Sequence, residues 1–164
     1  MDPEKKRTIF TLCAIAVVIL AAVLITRGVK LSEPPKLTVS NEYGNKISAQ
    51  RGTFSWETGG LSGGSQVLAD SAGPLYLYKL GELEGIEPSE NDNFSLTLKF
   101  GSTPKSVSAV ASPESSVETD DITSFTELKV SGNKLYIPTD DVYIIEVWAE
   151  FSEGKCWYYF YTKP

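Results

Sequence analysis

The chain has 164 residues, a net charge of −6 and no histidine. The absence of histidine removes the commonest general base and the commonest neutral metal ligand from any mechanism. Residues 1–30 contain five basic and two acidic residues, which leaves a net charge of −9 on the rest of the chain. Nucleic acids attract clusters of lysine and arginine, so this acidic composition excludes nucleic acid as a partner.

The first predicted element is a transmembrane helix over residues 8–26. Residues 9–26 contain no charged side chain, and about 20 helical residues cross the hydrocarbon core of a bilayer. A secretory signal is the alternative, but its apolar stretch is usually about 7–15 residues long and ends in a small-x-small cleavage site. Residues 23–27 lack such a site. We therefore predict an uncleaved anchor.

Basic residues on either side of the anchor predict its orientation. Lys5, Lys6 and Arg7 precede it, whereas Arg27 and Lys30 follow it. By the positive-inside rule, the side with more basic residues stays in the cytoplasm. Residues 1–7 are thus predicted to be a cytoplasmic tail on a single-pass protein of the cell membrane, with the C-terminal part outside the cytoplasm.

A proline-containing spacer, residues 27–35, is predicted to lead into one extracytoplasmic domain, residues 36–164. Tandem prolines favour an extended backbone. Beyond them, apolar and polar residues alternate in short stretches, and no helical periodicity is present. The predicted strands are residues 36–40, 46–50, 53–57, 75–79, 94–100, 107–111, 125–130, 134–137, 142–151 and 156–162. Many short strands separated by turn residues indicate an all-β, immunoglobulin-like antiparallel sandwich.

Several further residues have predicted places in this domain. Residues 131–134 and 152–155 have the composition of hairpin turns, and residues 112–123 are predicted to form a polar loop. Trp56 is predicted to lie in the core. Cys156, the single cysteine beyond the anchor, is predicted to be a buried strand thiol, with an intermolecular disulfide as the alternative. Tyr143 is placed like the corner tyrosine of immunoglobulin-like domains.

The last predicted hairpin contains the candidate ligand-binding residues. Alternation places Ile145 and Val147 on one face, and on the opposite face it places Trp148, Trp157, Tyr159 and Tyr161. A row of exposed aromatic rings would suit sugar rings or an extended peptide. We favour the other interpretation, in which strands from residues 36–80 cover this face as a second core layer, because soluble domains seldom expose large apolar patches.

Three segments together resemble a known kind of domain. Residues 51–56 read RGTFSW, residues 103–105 read TPK after an alternating stretch, and the terminal hairpin is rich in tyrosine. In this order they resemble small membrane-anchored extracytoplasmic β-sandwich domains of uncharacterised function from Gram-positive bacteria. The resemblance implies a location outside the cytoplasm and a β fold, and it transfers no catalytic residue.

Motifs that resemble catalytic or metal-binding sites are better explained by turns and loops. Residues 60–64 match the nucleophile elbow G-x-S-x-G, but that motif needs a histidine and a following helix. Ser102 with Lys105, and Ser131 with Lys134, match S-x-x-K, which works when both side chains share one face of a helix. The acidic segment 82–92 lacks the ligand spacing of a twelve-residue calcium loop, and it has no glycine at the position of the sharp turn in such a loop. We predict no catalytic residue, metal or cofactor.

The predicted function is therefore binding without catalysis. The sequence favours a membrane-tethered recognition, sensory or accessory module of the cell envelope. Its partner would be an envelope protein, a peptide or a glycan. Two alternatives remain at this point: an exported hydrolase that uses carboxylates or a Ser–Lys pair, and a purely structural envelope component.

Overall fold

A computed structural model describes residues 33–59, 64–89, 94–119, 124–138 and 140–163 of the chain. The predicted cytoplasmic tail and the predicted anchor lie outside the described residues, as do the first residues of the spacer and residues 60–63 of the G-x-S-x-G motif. Among the helices that are described, none combines the length and apolar character needed to cross a bilayer.

The described residues form twelve strands and two short helices. The strands are β1 (Leu37–Ser40), β2 (Lys46–Ser48), β3 (Gln50–Thr58), β4 (Ser65–Ala69), β5 (Gly85–Ile86), β6 (Ser95–Phe100), β7 (Ser106–Pro113), β8 (Thr126–Glu127), β9 (Val130–Ser131), β10 (Lys134–Tyr136), β11 (Tyr143–Glu150) and β12 (Gly154–Thr162). The helices are α1 (Pro74–Lys79) and α2 (Ser115–Thr119).

The strands are arranged in two sheets. The first sheet has the order β2-β1-β6-β10-β9, and the second has the order β4-β3-β12-β11-β7-β8. Neighbouring strands along both paths are antiparallel, and β5 adds a short parallel pairing to the end of β12. This arrangement confirms the predicted all-β fold with two antiparallel sheets.

One face of each sheet contributes to a shared hydrophobic core. Leu37 and Leu96 come from the first sheet, and Ile145 and Val147 come from the second; all four are fully buried. Trp56 is also fully buried, and its ring meets the edge of Phe151 at a centroid distance of 5.5 Å. Cys156 is a buried free thiol. The predicted burial of Trp56 and Cys156 is therefore confirmed.

Residues 75–79 were predicted to form a strand, and this prediction is wrong, because they belong to helix α1. Gly73 is the N-cap residue, with extended backbone angles, and Pro74 occupies the first turn. Proline suits that position because its missing N–H would have no partner inside the helix. Leu77 is the buried residue of the helix. A six-residue helix is too short to display the periodicity that would distinguish it from a strand.

Other short elements were also missed. Strands β4 and β5 have no counterpart among the predicted strands, and helix α2 interrupts the predicted polar loop 112–123. The turn at residues 131–134 is confirmed, since it joins β9 to β10 with Gly132 at a φ of 61°. The turn at residues 152–155 likewise joins β11 to β12.

The end of the predicted spacer belongs to the folded domain. Pro34 and Pro35, the last two residues of the predicted spacer, are buried. The Tyr158 hydroxyl donates a hydrogen bond to the Pro35 carbonyl at 2.7 Å. Arg51 Nη1 donates to the Pro34 carbonyl at 3.0 Å and pairs with the Glu33 carboxylate at 2.6 Å. These contacts fix the chain from Glu33 onward.

Candidate ligand-binding site

The face of the second sheet that is turned away from the core, called the outer face below, contains all four predicted ligand-binding residues. Strand register places them opposite Ile145 and Val147, as alternation predicts. Three rows run across β12, β11 and β7: Trp157–Trp148–Ser108, Tyr159–Glu146–Val110 and Tyr161–Ile144–Ser112. The outer face is therefore a continuous surface on which aromatic and polar residues meet.

Helix α1 divides this surface into a covered and an open part. Tyr159 is only 4% exposed and packs in a cluster with Leu77 and Leu83. Tyr161 packs beside the same cluster, with its ring 5.1 Å from the ring of Tyr78 on α1. The interpretation favoured from sequence places strands from residues 36–80 over this face. A helix rather than a strand covers the two tyrosines, and buried Tyr159 offers no surface to a ligand.

Two glycines allow the tyrosine rings to lie flat against neighbouring strands. A Cβ atom on Gly52 would lie 2.3 Å from the Tyr159 ring, and one on Gly85 would lie 2.3 Å from the Tyr161 ring. Glycine inside a strand often marks such a close approach of another group to the backbone. In β3, the glycine also lies where the pairing with β12 shifts register between Cys156 and Tyr158. Because neither position has a side chain, the rings of Tyr159 and Tyr161 can pack directly against the backbone in the covered part of the outer face.

The open part centres on a pair of stacked indoles. The Trp148 and Trp157 rings have centroids 5.6 Å apart and planes 9° from parallel. Trp148 remains 40% exposed, and Lys155 Nζ lies 5.3 Å from its ring centroid. Leu68 on the neighbouring part of the sheet is 72% exposed. Rigid, exposed rings of this kind offer contact area at a low cost in conformational entropy.

A cavity of about 410 Å³ opens beside the indole pair, where α1 meets the sheet. Its lining is mainly apolar and aromatic, with one carboxylate: Gly73, Pro74, Leu75, Tyr76, Val110, Ser112, Phe125 and Glu146. Sequence reasoning missed Glu146. The available signal was a charged residue in the middle of the strongly apolar segment 142–151. The cavity and the indole pair are neighbours on the outer face, since Glu146 and Trp148 are two residues apart on β11.

Glu146 is held in an apolar environment, and burial raises the pKa of its carboxyl group. No described residue donates a hydrogen bond to this carboxylate, and none of the described residues that line the cavity is basic. Tyr159 lies directly opposite on β12, and burial raises its own pKa to about 12, so its hydroxyl stays neutral at physiological pH. Glu127 lies further along the same row, beyond Val110. The described part of the site is therefore electronegative.

The raised pKa of Glu146 predicts a pH-dependent stability difference for Glu146→Gln. Between the unfolded and folded pKa values, the folded state binds more protons, so the wild type loses stability as pH rises through this window. Glutamine does not titrate and lacks this loss. We expect Glu146→Gln to melt at a higher temperature than the wild type at pH 7, with a smaller advantage at pH 4. A difference in melting temperature that is constant from pH 4 to 7 would contradict the assignment.

A second cavity, of about 630 Å³, is lined by residues 98–107 together with Val130, Gly132 and Asn133. Within it, Ser102 Oγ is buried and has no hydrogen-bond partner among the described residues. Lys105 therefore makes no hydrogen bond to this serine, although activation of a nucleophilic serine requires such contact with its base. Ser131 and Lys134 face each other across the β9–β10 turn. Among the described residues, no three acidic or cysteine side chains converge as metal ligands.

No protein-family model matches this chain, and neither a curated protein nor a solved structure matches it. The fold alone does not define a function, since one architecture supports many. The function has to be argued from the chemistry of the outer face.

Proposed function

We propose that this chain is a membrane-tethered, extracytoplasmic binding module of the cell envelope that works without catalysis. In this proposal residues 8–26 form the transmembrane helix and residues 1–7 stay in the cytoplasm. The β-sandwich recognises a peptide, a glycan or an envelope protein in a sensory or accessory role. The open part of the outer face, formed by Trp148, Trp157 and the Glu146 cavity, is the proposed recognition surface.

One observation carries this proposal: helix α1 covers part of the outer aromatic face of the second sheet and leaves the adjacent part open. Tyr159 is 4% exposed, whereas Trp148, in the next row, is 40% exposed. The indole pair has an apolar cavity beside it. Ligand sites are typically concave, largely apolar and equipped with a few polar groups, and cavities of about 300–1,000 Å³ are common among them.

The finer architecture in this proposal is an immunoglobulin-like sandwich behind a membrane anchor. The two antiparallel sheets around one core support it, as does the Tyr143 hydroxyl, which donates a hydrogen bond to Asp140 Oδ1 at 2.8 Å near the start of β11. The uncharged segment 9–26 and its basic flank support the anchor. The sequence resemblance to membrane-anchored domains of Gram-positive bacteria points to the same location.

An exported hydrolase is the second candidate, and Glu146 is the observation that favours it. A carboxyl group with a raised pKa in a cavity has the properties of a general acid. Glycoside hydrolysis, however, generally uses two carboxyl groups on either side of the bond to be broken. Among the described residues of the cavity lining, Glu146 is the one carboxylate. This arrangement suits the recognition of a ligand better than its hydrolysis.

Capture of ligands from detergent-solubilised envelopes tests the proposed function. We compare the full-length wild type with Trp148→Ala, which removes the more exposed indole, and with Trp157→Ala. Tyr43→Ala is the matched control, because Tyr43 is 65% exposed and lies in the β1–β2 turn of the other sheet. Circular dichroism verifies that each variant is folded.

We expect the wild type and Tyr43→Ala to retain the same ligand, with affinity at least about tenfold weaker in Trp148→Ala, since truncation of a central aromatic contact commonly costs about 2 kcal/mol or more. Identical ligands and affinities in all four proteins would contradict the proposal. Turnover of the retained ligand that is lost in Glu146→Gln would favour the hydrolase instead.

A further inference from the structure

We infer that the Glu146 cavity binds a primary ammonium group carried on an aliphatic chain, as in a lysine side chain. This inference rests on the proposed binding function and specifies the ligand class for its site. It is argued from the lining of the cavity, from its charge and from a contact that the same face already makes.

The lining of the cavity suits an aliphatic chain that ends in a cation. Pro74, Leu75 and Val110 provide apolar walls, and Tyr76 and Phe125 add two aromatic rings. Both rings are more than half exposed, Tyr76 at 58% and Phe125 at 55%. Apolar walls favour methylene groups by desolvation, and aromatic faces attract ammonium groups through their quadrupoles. A ligand with both features can use the whole lining.

The charge of the cavity selects a cation over a neutral or an anionic group. The Glu146 carboxylate receives no hydrogen bond from any described residue, and the described part of the lining contains no lysine or arginine. A partly desolvated carboxylate without a donor is costly to keep ionised. An ammonium group would supply both the positive charge and up to three N–H donors. Glu127, on the same row of the outer face, adds to the negative potential.

The outer face already holds one ammonium group in a comparable way. Lys155 Nζ lies 5.3 Å from the centroid of the Trp148 ring, and Trp148 is in the row next to that of Glu146. A lysine side chain can therefore lie along the aromatic surface of this sheet with its cation over a ring. The Glu146 cavity offers a second position of this type and adds a carboxylate that has no partner among the described residues.

A titration with two matched probes tests this inference. The probes are Nα-acetyl-lysine methylamide and its uncharged counterpart, Nα-acetyl-norleucine methylamide, each followed by nuclear magnetic resonance with the full chain in detergent micelles at pH 7.5. We expect the lysine probe to bind at least about tenfold more tightly than the norleucine probe and to shift the signals of Phe125 and Val110. A tenfold ratio corresponds to about 1.4 kcal/mol, below the usual cost of losing one partner of a desolvated charge pair.

Substitutions and pH give the decisive comparison. Glu146→Gln is expected to weaken the lysine probe at least about tenfold while leaving the norleucine probe unchanged. Glu150→Gln, a matched control further along β11, should retain the wild-type affinity.

Affinity of the wild type for the lysine probe should fall from pH 7.5 to pH 4.5, because protonation of Glu146, with its raised pKa, removes the charge. Tyr159 stays neutral over this range. Glu127 lies on the same row as Glu146, and titration of Glu127→Gln distinguishes its contribution to binding from that of Glu146.

Equal binding of the two probes, or full affinity of the lysine probe in Glu146→Gln, would overturn the inference. The experiments distinguish a failure of the proposed function from a failure of this inference. If Trp148→Ala loses the envelope ligand but Glu146→Gln retains the lysine probe, the recognition surface stands and the ammonium site is wrong. If the lysine probe depends on Glu146 but Trp148→Ala retains every envelope ligand, the ammonium site stands and the proposed recognition surface is wrong.

Discussion

Gly52→Ala is expected to lower the free energy of unfolding by about 3 kcal/mol, the upper part of the usual range for overpacking. The added Cβ would lie 2.3 Å from the ring of Tyr159, which is itself buried against Leu77 and Leu83. The ring cannot move away without displacing helix α1. Chemical denaturation monitored by circular dichroism measures the change.

A double-mutant cycle separates this contact from a general effect of alanine in a strand. In a Tyr159→Ala background the space beside Gly52 is empty, so Gly52→Ala should cost less than about 1 kcal/mol there. Gly101→Ala is the matched control, because its nearest contact would be an ordinary 3.4 Å from Pro35. The same cost for Gly52→Ala in both backgrounds would show that the tyrosine–glycine contact does not limit the packing.

Leu77→Ala is expected to destabilise the attachment of helix α1 to the sheet by about 3 kcal/mol, within the range measured for buried leucine truncations. Leu77 is 6% exposed and is the buried residue of this helix. Since α1 has only six residues, it has little stability without tertiary contacts. The helix should therefore detach locally while the sandwich stays folded.

Hydrogen exchange measures this local opening. Amides of residues 77–81 should exchange much faster in Leu77→Ala, and Tyr161 should gain exposure, while amides of β7 and β11 keep their protection. Leu80→Ala is the control, since Leu80 follows the helix and is 52% exposed. Equal exchange in the two variants would mean that Leu77 does not hold the helix on the outer face.

The strands with the clearest alternation were predictable from sequence. The hairpin of β11 and β12 has a strict period of two, because one of its faces packs in the core and the other forms the outer face. That pattern predicted the burial of Cys156 and placed Trp148 and Trp157 on the opposite face. Trp56 followed from the same reasoning. Short edge strands such as β4 carry a weaker pattern, since little of their surface is buried.

The division of the outer face was not predictable, because it depends on helix α1. Residues 75–79 alternate like a strand in sequence, and only their packing on the sheet reveals a helix. Burial of Tyr159 and desolvation of Glu146 both follow from packing around that helix, so neither could be derived from β11 and β12 alone. The glycines at positions 52 and 85 were a usable signal, since glycine within a strand indicates close approach of another group.

Accessibility of the three tryptophans tests the central claim, that the outer face remains open at Trp148 while the core is closed. The chain contains three tryptophans, so labelling with 5-fluorotryptophan gives three fluorine signals that single substitutions can assign. A soluble paramagnetic agent should broaden Trp148 most, Trp157 less and fully buried Trp56 least. Protection of Trp148 equal to that of Trp56 would contradict the account, because the surface proposed for recognition would then be closed.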